Sequence, residues 1–187
     1  MFDSLKVVSE IEIRPTSVVL NGQPIAVETT GEKMLVELYR RYAGDYPKFF
    51  KLDTLSRLGF IAAEILLKEP TANCQKPTAV ILANRSASIK NDTDYLATIS
   101  GGNYYPSPAL FVYTLPNIVT GEIAIRHHIQ GETSFYILDT PEQLEQILLS
   151  TMSNNLKPSN PQTFLVGWCE CTEPNNFYAK LQITWNN

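Results

Sequence analysis

Two short apolar runs constrain this chain more than any other feature: residues 78–83 (TAVILA) and 163–168 (TFLVGW). Successive side chains of a strand point to opposite faces, so a strand that is apolar at every position needs cover on both sides. Pro77 and Asn84 bound the first run at strand length, too short for a buried helix. Both runs are therefore predicted to be inner strands of a sheet with helices packed on its faces.

The segments between them supply that cover. Leu35, Leu38, Tyr39 and Tyr42 recur three or four apart within 32–42, which is helical spacing, and Asp45-Tyr46-Pro47 ends the run. A second helix is predicted over 54–68. Leu55, Leu58, Ala62, Ile65 and Leu66 share one side of it, Asp53 or Thr54 caps its free N–H groups, and Pro70 stops it. The polar stretch 84–94 is read as irregular, with a short helical piece at 95–99. Within 115–128, Ile118, Val119, Glu122, Ile123 and Arg126 recur at helical spacing, and Ala124 and Ile125 widen the apolar face until it runs nearly all round. Such a helix is expected to be buried against more than one neighbour. Thr140-Pro141-Glu142-Gln143 reads as a capping box with proline at the first helical position, opening a helix that turns Leu144, Ile147 and Leu148 inward.

The remaining strands are shorter or half-covered. Residues 7–13 and 17–20 are β-branched runs parted by Arg14-Pro15-Thr16 and followed by the turn Asn21-Gly22, and 134–138 (SFYIL) is a further strand. Residues 177–185 alternate, with Phe177, Ala179, Leu181, Ile183 and Trp185 on one face and Tyr178, Lys180, Gln182 and Thr184 on the other; Pro174-Asn175-Asn176 closes a hairpin with the preceding strand. The predicted fold is α/β, a layered mixed β-sheet with helices on its faces that ends in a β-hairpin. No repeat or linker interrupts 1–187, which is read as one domain; 187 residues, 44% of them apolar, are enough for a sizeable core.

Charge and motif content narrow the function. A net charge of -4 and a pI near 5.2 lack the basic footprint that a phosphate backbone demands, so nucleic acid is not an expected partner. The apolar run 58–67 is broken by Glu64 and falls short of the roughly 20 residues of a membrane span. Residues 1–10 show no basic head and apolar body of a signal peptide, so a cytoplasmic location is expected. Ser100-Gly101-Gly102-Asn103 lacks the spacing of a phosphate-cradling loop and is read as a plain connection. Cys74, Cys169 and Cys171 are too few and too unevenly placed for a disulfide framework. Cys169 and Cys171, with His127 and His128 some forty positions upstream, do not make a zinc set, and are read as small residues in or beside a strand. No metal and no cofactor is expected.

Residues 106–131 (PSPALFVYTLPNIVTGEIAIRHHIQG) resemble the stretch that leads to the active-site cysteine in the β-ketoacyl-acyl-carrier-protein synthases. There a phenylalanine-rich turn, an Asn, a small-residue Gly and an apolar helix precede the nucleophile. Residues 52–59 (LDTLSRLG) are similar to an earlier helix of that family, and 78–88 to its apolar strand with a Ser-rich turn. The resemblance covers most of the chain and implies the N-terminal half of a thiolase-like fold.

Where that family keeps its cysteine, the alignment falls on Thr140, beside Asp139. Condensation needs a thiolate to accept an acyl group, and it needs two histidines at the oxyanion, which the family carries in a second half-domain beyond the stretch matched here. A threonine hydroxyl needs an adjacent base, and none is recognisable nearby, so Asp139 and Thr140 are read as helix caps and no residue is assigned as catalytic. His127 and His128 fall where the family has no catalytic residue and are read as the polar end of a helix. The resemblance further implies that Leu115 borders an acyl pocket and that the following helix and strand 134–138 lie at a dimer interface, which makes Leu110, Phe111, Leu115 and Ile118 acyl-pocket or interface candidates. A half-fold that left a sheet face bare would expose a large apolar patch, which pairing would cover. The expectation is a ketosynthase-like, non-catalytic subunit of fatty-acid, polyketide or aryl-polyene synthesis, paired with itself or with a complete ketosynthase and in contact with an acyl carrier protein. The alternative is a 3-oxoacyl synthase or acyltransferase whose active site another chain completes.

Overall fold

In the computed structural model, which describes residues 6–68, 77, 79–100, 104–154 and 163–185, both apolar runs are inner strands of one seven-stranded sheet. Pro70, Cys74, Thr78 and Gly101-Gly102-Asn103, for which the sequence carries expectations, lie outside the described residues. The strands are β1 (Lys6–Arg14), β2 (Ser17–Leu20), β3 (Gln23–Ile25), β4 (Ala79–Asn84), β5 (Thr133–Ile137), β6 (Thr163–Glu173) and β7 (Asn176–Trp185), in the spatial order β3-β2-β1-β7-β6-β4-β5. β4 runs parallel to both β5 and β6; every other pairing is antiparallel, including the terminal hairpin of β6 and β7. The helices are α1 (Gly31–Tyr42), α2 (Thr54–Leu67), α3 (Ile89–Ile99), α4 (Pro108–Val112), α5 (Ile118–His127) and α6 (Pro141–Asn154).

The pleat of β4 shows why its sequence is apolar throughout. All six residues are buried, and they alternate between two cores. Val80 and Leu82 join the larger one with α1, α2 and α5, while Ala79, Ile81 and Ala83 meet Leu144 and Leu148 of α6 on the opposite face. β6 divides likewise, Leu165, Cys169 and Cys171 one way and Phe164, Val166 and Trp168 the other. α2 is the centre of the larger core, packing on α1, α5 and the strands β1, β6 and β7. Its N-terminus is fixed by Asp53, whose carboxylate accepts from the N–H groups of Leu55 and Ser56 at 3.1 and 3.3 Å. Gly59 lets α5 approach: a Cβ there would stand 2.4 Å from Val119 Cγ2.

Several expectations are corrected. The polar stretch 84–94 is helical from Ile89, because α3 lies on the surface with only Asn91 buried and so has no apolar stripe to betray it. α5 is not covered all round: Val119, Ile123 and Ala124 are buried, but Ile125 is 62% exposed. β3 follows Asn21-Gly22, where both residues adopt positive φ and form a tight hairpin turn. The first helix ends before Asp45-Tyr46-Pro47 as expected, and a 3-10 turn follows at Pro47–Lys51. Beyond α6, the second sheet face is polar rather than bare and apolar. Gln182 Nε2 donates to Glu10 Oε2 at 2.8 Å, Lys180 Nζ stands 3.3 Å from the same oxygen, and the Arg14 guanidinium covers the Tyr178 ring at 4.7 Å. No helix among the described residues is long and apolar enough to cross a membrane.

Candidate functional site

The parallel strands bring their C-terminal ends together, and the chain turns there twice. After β4, the fully buried Asn84 holds the turn 85–88: its Oδ1 accepts from Ala87 N at 2.9 Å and its Nδ2 donates to Ala87 O at 2.8 Å, while Ala87 sits at φ 49°. The Glu170 carboxylate of β6 accepts from Arg85 N and Ser86 N at 2.9 and 3.3 Å. After β5, Leu138 N donates to Asn84 O at 2.8 Å, and the chain passes through Asp139 and Thr140 into α6. The two exposed residues give their N–H groups to Gln143 Oε1, at 2.8 Å from Asp139 and 3.2 Å from Thr140. This is the reciprocal arm of a capping box.

The thiols and imidazoles are engaged elsewhere. Burial pushes the Cys169 thiol well above its ordinary range and raises Cys171 to about 12, with the Asp53 charge adding to the latter, so neither is a ready thiolate at neutral pH. His127 stands with its Nε2 2.9 Å from Glu64 Oε1, an ion-pair distance without the alignment of a hydrogen bond. Glu64 is fully buried on α2, and Arg126 Nε and Lys68 Nζ also reach it, at 2.9 and 3.3 Å. Burial works to raise the Glu64 pKa, but His127 and then Arg126 outweigh it and hold the carboxylate at about 2. Arg126 continues outward to Asp45 at 2.5 Å, and one turn earlier Glu122 accepts from the Tyr46 hydroxyl at 2.8 Å and pairs with Lys48. His128 ends α5 in the left-handed conformation, φ 53°. The sequence shows only an interrupted apolar run at Glu64; this cluster needs α2 and α5 in contact before it can be read. Among the described residues, no group of three His, Cys, Asp or Glu side chains is placed to hold a metal.

The four apolar candidates are neighbours along the chain but have different surroundings. Ser107 caps α4, its hydroxyl accepting from Leu110 N at 3.3 Å. Leu110 lines a crevice of about 290 Å³ of mixed character, sharing it with Leu52, Ala109 and Tyr113 as well as with Asp53, Arg57, Lys90 and Asn91. Asn91 holds that crevice together, donating to Asp53 Oδ2 at 2.7 Å and to Tyr113 O at 3.0 Å. Phe111 is 55% exposed and its ring lies 5.4 Å from that of Tyr95; Leu115 is 51% exposed, and Ile118 is half-buried at the start of α5. Ile137, at the end of the edge strand β5, is 50% exposed. No hydrogen bond or ring contact among the described residues joins Leu110, Phe111, Leu115 or Ile118 to Asp139 or Thr140.

No family model and no curated relative matches this sequence. Solved structures do resemble it. A ketosynthase (ApeO) in complex with its chain length factor (ApeC) from Xenorhabdus doucetiae superposes with a TM-score of 0.67 at 13% identity, covering 98% of this chain and 79% of that one. The complex AntDE:AntF, a type II polyketide-synthase acyl-carrier protein with its ketosynthase bound to the hexaketide, gives 0.57 at 13% identity over 95% of this chain and 61% of that one. At these identities the likeness concerns the fold alone, the thiolase-like layered sheet that these ketosynthase structures share.

Proposed function

We propose that this chain is a ketosynthase-like, non-catalytic subunit that pairs with itself or with a complete ketosynthase in fatty-acid, polyketide or aryl-polyene synthesis. The observation that carries the pairing is β5. Among the described residues it is bonded on one side only, to β4, and its five residues (TSFYI) include neither the charge nor the proline with which natural edge strands discourage pairing. Exposed Ile137 on β5, Ile125 on α5 and Phe111 and Leu115 before α5 add apolar surface in the elements next to it in sequence. The two structural neighbours, both complexes of a ketosynthase with another protein, support the same reading, and the second supports an acyl carrier protein as a further partner. A cytoplasmic location is part of the same proposal.

The non-catalytic role rests on the β5–α6 junction. Thr140, at the position that the resemblance assigns to the nucleophile, caps a helix, and no described imidazole or thiolate stands with it. Incubation with a radiolabelled acyl-carrier-protein thioester is expected to leave the chain unlabelled, and a pull-down from the native cell is expected to recover either the same chain or a ketosynthase. Stable acylation at Thr140 or Asp139 overturns the non-catalytic role; recovery of neither partner overturns the pairing.

A further inference from the structure

We draw no further inference here: the strongest candidate, the surface patch of exposed apolar side chains on α3 and just before α4 (Ile89, Leu96, Tyr104 and Tyr105), carries nothing because the structure does not show what covers it.

Discussion

Glu64 of α2 is tied to α5 through Arg126 and His127. A carboxylate with no solvent exposure is tolerable only if cations and donors replace its water, and Arg126, which donates to it, and Lys68, at ion-pair distance, do so. Breaking a buried pair from one side leaves the partner charges uncompensated; because Arg126 and Lys68 keep 20% and 48% of their side-chain exposure, the cost falls at the lower end of the usual range. Glu64→Gln, nearly isosteric, is expected to lower the unfolding free energy by about 3 kcal/mol in urea titrations at pH 7. The pH dependence has a definite sign. The folded pKa of about 2 lies below the ordinary 4.5, so the contribution is complete above 4.5 and lost as pH falls towards 2. The gap between wild type and Glu64→Gln is therefore expected to narrow across that window. A gap that stays constant from pH 6 to pH 2 would show that the loss is one of packing and not of charge.

At the scale of elements, legibility followed burial. β4, β6 and α2 were readable because two-sided or one-sided burial writes itself as a continuous or periodic apolar pattern. α3 was missed at its start because polar contacts anchor it, Asn91 to Asp53 and to Tyr113 O, and these leave no hydrophobic period. The candidate site was legible only in part: the capping role of Thr140-Pro141-Glu142-Gln143 is local chemistry, whereas the polar groups around Leu110 are assembled from the start of α2 and from α3 and have no local signal. Gly59 is a further case, since its reason lies in a different helix. Gly→Ala within a helix gains about 1 kcal/mol from propensity alone. Here the added methyl meets Val119 Cγ2 at 2.4 Å and Cys169 Sγ at 3.4 Å, and overpacking a filled core costs about 1–3 kcal/mol. The contact with backbone-anchored Val119 puts the cost near the top of that range, so Gly59→Ala is expected to destabilise by about 1 kcal/mol or more in thermal or urea unfolding. Combined with Val119→Ala, which removes the clashing methyl, the same substitution is expected to turn neutral or stabilising. Additive effects in that double-mutant cycle would place the cause outside the α2–α5 contact.

At the scale of the whole molecule, the two edges of the sheet differ. One edge of the sheet ends in the three-residue β3, short enough to discourage pairing, while the other ends in β5, beside the buried β4 and flanked by exposed Ile137. The second sheet face is closed by α6 and by the Glu10–Gln182–Lys180 contacts, so under the proposed pairing the edge at β5, more than the face, is where another chain would attach. Antiparallel addition of a strand to β5 would satisfy its outward N–H and C=O groups and cover Ile137, and an interface of standard size, about 1,600 Å² in total, would extend over α5 and α4. Ile137→Lys tests this without touching either core, because the side chain is already half in solvent. In light scattering the wild type is expected at twice 21.0 kDa, or in stoichiometric complex with a co-purified ketosynthase, and Ile137→Lys at 21.0 kDa with an unchanged circular dichroism spectrum. Leu149→Lys, on a comparably exposed position of α6 away from the edge, serves as the control and is expected to leave the assembly intact. If Ile137→Lys assembles as the wild type does, β5 is not the joining edge, since a lysine facing the partner strand's apolar side chains would have to be desolvated without a counter-ion.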